Sequence, residues 1–487
     1  MSETASSAVF SNLIAGEWTA SVSGKTFSNL NPADTRDVVG YFQASEAADA
    51  QAAISAAASA FAKWRAMSVS ARAKIVNKAA DWLDAHVEAF ALELTREEGK
   101  PLAQSRDEIL RSAQVLRFYA VEAQSFTGET FPSDDPEQMV YTQREPLGVV
   151  TVISPWNFPI SIPARKIAPA LMAGNTVVFK PSSDAPLIGY RLAEAFVQAG
   201  IPAGVLNYIT GRASDIGAAI TESPVVRAVS FTGSTAAGVY IHRSVPITTR
   251  TQMELGGKNP LIVMEDADLD RAVDLTIKGG LSLSGQACTG TSRVLVMEPV
   301  LAAFTAKLVE KIKTLKIGSG VTPGMDLGPL ANRRQLETVL EYVASGKEEA
   351  IHLVGGEQLT GDGYEHGYYV SPAVFTAVPQ HARIYREEIF GPVLAIVPVT
   401  SYEDAIAKAN DTEYGLSAAI ATSNPRYMHR FANDIEAGTV KINRTTTGNV
   451  INAPFGGLKR SSTSTFRESG RAGLEFYTQI KTVYRGL

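Results

Sequence analysis

The sequence predicts an α/β protein centred on a doubly wound parallel sheet, joined to a second α/β unit and a small β-ribbon. Three observations carry this expectation. From Gly148 onward, short β-branched runs alternate with helical stretches at the spacing of strand–helix–strand units. A second alternation of the same kind begins near Pro260. A chain of 487 residues also exceeds what one hydrophobic core serves, so two or three domains are expected.

Residues from about 46 to 125 read as helices. "EAADAQAAISAAASAFAKWRAM" and "ARAKIVNKAADWLDAHVEAFALELTREEGK" are rich in Ala and Leu, with apolar residues three and four apart. "TGETFPSDDPEQMVYTQREPLG" interrupts them with prolines and polar residues, and with the late "FYTQIKTVY" it predicts a protruding ribbon. Then "GVVTVIS" reads as a strand, "IPARKIAPALMA" as a helix and "NTVVFK" as a strand. "PLIGYRLAEAFVQAG" reads as a helix closed by Gly200, and "GVLNYIT" and "VRAVSFTG" as further strands. The second alternation comprises "PLIVM", a helix from about Leu269, "TSRVLVM", "AVFTAV", "PVLAIVPV" and "TVKIN". Parallel sheets of this kind bind ligands at the carboxyl ends of their strands.

Composition removes several functional classes. The net charge of −5 offers no basic footprint for nucleic acid or an anionic membrane. No run of apolar residues is long enough to span a bilayer, and the N-terminus lacks the pattern of a signal peptide. One Cys permits no internal disulfide, and one Cys with six scattered His assembles no metal centre. No fixed-period repeat is present. These features predict a cytoplasmic enzyme or a large binding protein.

Five stretches then carry the chemistry. "SLSGQACTGTSRVLV" holds the lone Cys288, a buried apolar residue on one reading and a nucleophile on the other. "SPWNFP" follows a strand and is fenced by prolines, which aims Asn157 as a neutral amide donor or as a simple turn cap. "VVFKPSS" ends a strand at Lys180, a cation for ribose or phosphate if it is not merely solvated. "SFTGSTAAG" places Gly233 and Ser234 at a strand-to-helix turn suited to phosphate, without the usual G-x-G-x-x-G fingerprint. "MELGGKNP" sets Glu254 beside apolar residues, where a raised pKa would suit a general base.

Taken jointly and in this order, the stretches resemble the aldehyde dehydrogenase superfamily. "SPWNFP", "FTGST", "ELGGKNP", "GQACT", "EEIFGPV" and "PFGGLKRS" all match its signature segments, and the likeness runs from about Phe10 to the C-terminus. The resemblance implies a Rossmann-like cofactor domain (residues 1–125 with 148–255), a catalytic domain (256–458) and an oligomerisation ribbon (126–147 with 459–487) that pairs subunits into homodimers or homotetramers. It implies NADP, NAD or both as cofactor, no metal, and a small-molecule aldehyde as substrate. Cys288 would attack the aldehyde carbon to give a thiohemiacetal and then a thioester. Asn157 would hold the oxyanion, and Glu254 would activate water to release the acid. Ser154, Pro155, Trp156, Lys180, Gly233, Ser234, Leu255, Glu388 and Phe390 match its cofactor-binding positions. An intact Glu254 argues against an acylating enzyme that passes the thioester to coenzyme A, and the intact set argues against a silent binding protein on the same fold.

Two departures stand out. Ser183 occupies the place of a Glu that binds adenosine ribose in many NAD-preferring members, which removes repulsion against a 2′-phosphate. "KRSSTSTFRESGR" replaces the commoner glycine-containing C-terminal loop. Within the family, "ISIPARKIAPALMAGNTVVFKP" and the C-terminal segment look most like enzymes of 2-oxoglutarate semialdehyde (2,5-dioxovalerate), then of succinate semialdehyde. Arg165 matches an Arg that succinate-semialdehyde enzymes use for the distal carboxylate, or pairs with an acidic neighbour instead. Their second Arg is Ser282 here, and Arg444 is the candidate to replace it. The alternative is a broad-specificity enzyme of aromatic and aliphatic aldehydes.

Overall fold

The computed structural model describes residues 8–463 and 465–486. Residues 1–7, Ser464 and Leu487, which fall within the expected cofactor domain, C-terminal loop and ribbon, lie outside the described residues. Two seven-stranded sheets organise the chain. In the first, Arg250–Glu254, Val226–Thr232, Val149–Ile153, Thr176–Lys180 and Leu206–Tyr208 run parallel in that order. Two antiparallel strands, Asn12–Ile14 and Glu17–Thr19, extend its edge. The sequence reading gave no strand to this N-terminal stretch.

The central strands are buried on both faces; all five residues of Thr176–Lys180 are buried. Their unbroken apolar runs follow from helices covering each face. Helices Ala47–Ala66, Val69–Ala85, Val87–Glu98 and Leu102–Glu122 fill the region expected to be helical. Helix Ser161–Ala173 follows strand Val149–Ile153 and ends at Gly174, whose φ of 99° is open to glycine.

The second sheet orders Ile351–Val354, Ala373–Thr376, Val393–Val399, Thr291–Met297, Asn259–Val263, Ser417–Ala421 and Thr439–Ile442, with only the first strand antiparallel to its neighbour. The expected ribbon forms as Gln138–Pro146 paired antiparallel with Thr478–Gly486 on one side and Thr130–Phe131 on the other. Among the described residues no helix is long and apolar enough to cross a membrane.

Candidate active site

The register of the first sheet aligns several chemically important positions at the carboxyl ends of its strands. Ile153, just before Ser154, pairs with Lys180, and Thr232, just before Gly233, pairs with Glu254. Gly233 N–H donates to the Glu254 carbonyl at 3.1 Å, locking two of these turns together. Ser234 caps helix Thr235–Ser244, accepting from Ala237 N–H. Helix starts of this kind present free N–H groups to anions.

Cys288 lies in the loop between the 3₁₀ turn Ser282–Gly285 and strand Thr291–Met297. Leu283 and Ser284 both adopt left-handed backbone, at φ 52° and 53°, a strain held in place in part by the Ser284 hydroxyl donating to Gly328 O at 2.7 Å. From the other side, Asn259 Nδ2 donates to Cys288 O at 2.8 Å and Gly290 O at 2.9 Å. Gly257 is needed there because a Cβ would sit 2.6 Å from Cys288 O. Asn157 Nδ2 donates to Gln286 O at 2.9 Å, tying the amide to the loop that carries the cysteine.

Cys288 and Glu254 face one cavity of about 360 Å³. Glu254 is buried and neither of its carboxylate oxygens has a hydrogen-bond partner. Burial first, and then the negative charge of Glu468, push its pKa well above the usual 4.5. Gly456 leaves the space beside it, since a Cβ there would meet Glu254 Oε1 at 2.8 Å. Burial, with Glu388 and Glu254, pushes the Cys288 thiol up to about 12, so the resting sulfur carries its proton.

Glu468 has the opposite surroundings. It accepts from Arg165 Nη1 at 3.1 Å and from Lys166 Nζ at 2.9 Å, and lies below its ordinary value because these two cations outweigh burial. Arg111, on helix Leu102–Glu122, completes that wall. Its guanidinium donates to Asn449 O and to Asn449 Oδ1 and, among the described residues, to no carboxylate, while burial and the Arg165 charge pull its pKa down.

The whole chain matches known proteins in agreement with this arrangement. Residues 18–483 match the model of the aldehyde dehydrogenase family. The chain belongs to the aldehyde dehydrogenase family. It is 44% identical over 475 residues to the α-ketoglutaric semialdehyde dehydrogenase of Bacillus subtilis, covering 97% of each chain. Among solved structures it resembles an NAD-dependent aldehyde dehydrogenase from Sinorhizobium meliloti (TM-score 0.95, 36% identity, 99% of this chain and 95% of that one). It also resembles an NADP-dependent enzyme from E. coli (TM-score 0.94, 35% identity, 98% of each).

Of the residues expected from the aldehyde dehydrogenase signatures, Cys288, Glu254, Leu255 and Arg165 line the cavity, as does Ser282. Glu388 and Phe390 line a smaller space that shares Ala287 with it. Glu388 accepts Gly257 N–H at 3.0 Å and is pushed up to about 7 by burial. Trp156 packs edge-on to Phe390, with centroids 5.3 Å apart. Lys180 is buried and brought down to about 8, its ammonium donating to Pro181 O at 3.1 Å, and Ser183 donates to Gly211 O at 3.1 Å. The buried hydroxyls of Ser154 and Thr232 have no hydrogen-bond partner among the described residues. Unsatisfied donors at adjacent strand ends fit a polar cofactor.

Arg444 requires a correction. It is exposed and lies outside the cavity lining, because Asn443, at φ 54°, turns the chain after strand Thr439–Ile442. Thr446, Thr447, Gly448 and Asn449 face the cavity instead. Arg111, which no motif in the sequence singles out, lines the same cavity as Ser282. Its helix spacing looks like that of any solvated arginine. Glu468 and Lys166 also went unnoticed, being far apart in sequence with no shared motif.

Proposed function

We propose that this aldehyde dehydrogenase oxidises a semialdehyde bearing a distal carboxylate, with 2-oxoglutarate semialdehyde as the first candidate and succinate semialdehyde the second. The enzyme is NAD(P)-dependent. The observation that carries the substrate reading is Arg111: a half-buried guanidinium with no acidic partner, beside a second guanidinium, in the cavity that holds Cys288. A half-buried cation left on carbonyl oxygens is stabilised by an incoming carboxylate, and a guanidinium binds one bidentately. The name of the Bacillus subtilis relative points to the same substrate class.

The chemistry follows from the residues present. The Cys288 thiol loses its proton to solvent as its sulfur adds to the aldehyde carbon, while Glu254, with two unpartnered oxygens and a raised pKa, is reserved for the later water. Asn157 Nδ2 and the Cys288 N–H stabilise the developing oxyanion. The nicotinamide cofactor supplies the hydride acceptor; Ser154, Pro155, Trp156, Lys180, Ser183, Gly233, Ser234, Leu255, Glu388 and Phe390 are the residues that would hold it. Ser183 in place of a carboxylate leaves a 2′-phosphate unopposed. Glu254 then deprotonates the water that hydrolyses the thioester, releasing the acid. Asn157, Cys288 and Glu254 are the catalytic residues of this scheme, and Arg111 with Arg165 forms its substrate wall. The three-part division of the chain into cofactor, catalytic and ribbon units suits it. Exposed Phe131, Met139, Ile480 and Tyr484 on the ribbon support a homodimer or homotetramer, and a cytoplasmic setting keeps the lone thiol reduced.

Arg111→Leu tests the substrate reading. Loss of one charge-assisted pair costs about 1.5–3 kcal/mol, or roughly 10- to 150-fold in kcat/KM, for a carboxylate semialdehyde, with hexanal little affected. Equal losses for both, or a parent enzyme that already prefers hexanal or benzaldehyde, would replace this reading with broad specificity. Arg165→Ala is a poorer probe, because it also strips Glu468 of a partner and so perturbs both substrate classes.

A further inference from the structure

Lys100 and Glu108 form a buried ion pair that contacts the segment carrying Asn157 at several points. Lys100 sits between helices Val87–Glu98 and Leu102–Glu122, and Glu108 lies nearly two turns into the second helix. The Lys100 ammonium meets Glu108 Oε2 at 2.7 Å and donates to the backbone carbonyl of Asn157 at 2.6 Å. It also lies 4.8 Å from the centroid of the Phe158 ring. The other oxygen of Glu108 accepts the N–H groups of Ile160 at 3.2 Å and Ser161 at 3.1 Å. Four of the five residues from 157 to 161 are therefore fixed to two charged side chains arriving from a different part of the chain.

We propose that Lys100 and Glu108 are positioning residues for the aldehyde oxidation, fixing the backbone of Asn157 so that its amide is aimed at the oxyanion. Stability alone does not account for the pair. Both side chains are only 1–2% exposed, and a buried ion pair is generally no more stabilising than apolar groups of the same volume. What it supplies is direction: point charges grip the Asn157 carbonyl and the helix start that follows it. The Asn157 amide reaches Gln286 O from this anchored backbone, so a small displacement would carry it off the reacting oxygen. A misplacement of about 1 Å can cost on the order of 10²-fold in rate. Glu98, 3.7 Å from the same ammonium, is pushed up to about 8 by burial.

The inference rests on Asn157 being the oxyanion donor, and a double-mutant cycle on the full chain separates the two claims. Lys100→Met is compared in the parent and in the Asn157→Ala background, with the enzyme's best aldehyde and saturating cofactor. The expected result is a kcat lowered roughly 10- to 100-fold in the parent, with KM for aldehyde and cofactor within about 2-fold. In the Asn157→Ala background the same substitution should change kcat by less than about 2-fold, because the group it positions is gone. An equal loss in both backgrounds, a loss confined to KM, or no loss overturns the proposal. If Asn157→Ala alone keeps the parental kcat, the oxyanion assignment itself fails. Should Lys100→Met not fold, the combined Lys100→Met/Glu108→Gln variant removes both charges while keeping an acceptor for Ile160 and Ser161, and is read the same way.

Discussion

Glu254 and Glu468 border the same cavity, are 3% and 2% exposed, and have been given opposite electrostatic surroundings. Glu468 holds two cations and is kept ionised; Glu254 has no hydrogen-bond partner and is pushed toward its neutral form. Glu468 also acts on Glu254, since its charge is the second cause of the rise there. Two carboxylates driven apart in this way divide the work of a site, one fixing charge and one moving a proton. Glu108, on the same cavity wall, shows the third arrangement: three donors satisfy it, and it serves geometry.

The largest effect expected from this contrast is at Glu254. Glu254→Gln keeps the shape of the side chain but cannot accept a proton, so thioester hydrolysis should slow by roughly 10²- to 10⁴-fold. Stopped-flow absorbance at 340 nm should then show up to one equivalent of reduced cofactor per active site, followed by little turnover. Cys288→Ala should abolish the burst together with turnover while cofactor binding persists. Steady turnover of Glu254→Gln at the parental rate would end the claim that its missing partners matter.

The next effect is a displacement of the pH profile. As a base, Glu254 must be ionised, so hydrolysis falls as pH drops through its raised pKa. Glu468→Gln removes a negative charge nearby and frees the charges of Arg165 and Lys166, and both changes favour ionised Glu254. The acidic limb of kcat in the variant should therefore move to lower pH. A limb that stays in place would uncouple the two carboxylates.

Sequence made one partner of this contrast visible and hid the other. Glu254 sits in "MELGGKNP", next to glycines at a strand end, and Cys288 was conspicuous as the lone thiol. The parallel strands around them read clearly because burial on both faces gives unbroken apolar runs. Glu468 falls in "FRESGR", and Lys166, its partner in the fold, lies 302 positions away. Nothing local marks such a pair. Arg111 was hidden for a related reason: what distinguishes it is that no carboxylate among the described residues pairs with it, which only the packed structure reveals. Strands Asn12–Ile14 and Glu17–Thr19 are three residues each, too short for a period; the first takes its place by pairing with Leu206–Tyr208 far along the chain, and the second by pairing with the first.

The smallest expected effect is thermodynamic and tests the same contrast without catalysis. A carboxyl whose folded pKa lies above its unfolded value favours unfolding at any pH where the unfolded chain can ionise. For Glu254 the ordinary value is 4.5 and the folded value is well above it. Below about pH 4.5 both states hold the proton and Glu254 contributes no pH-dependent cost. As pH rises beyond that, the unfolded state gains by ionising, and the cost to the fold grows until the folded pKa is reached. Replacing Glu254 by a neutral isostere removes that cost. Glu254→Gln should therefore raise Tm at pH 7 by on the order of 1–3 °C, with the gain fading as pH approaches 4.5. Glu468→Gln should do the reverse, lowering Tm at pH 7, because it leaves Arg165 and Lys166 without their shared anion. Scanning calorimetry of the two variants across pH 4.5 to 7 checks the opposite signs. If both substitutions moved Tm in the same direction, the two carboxylates would not occupy opposed environments.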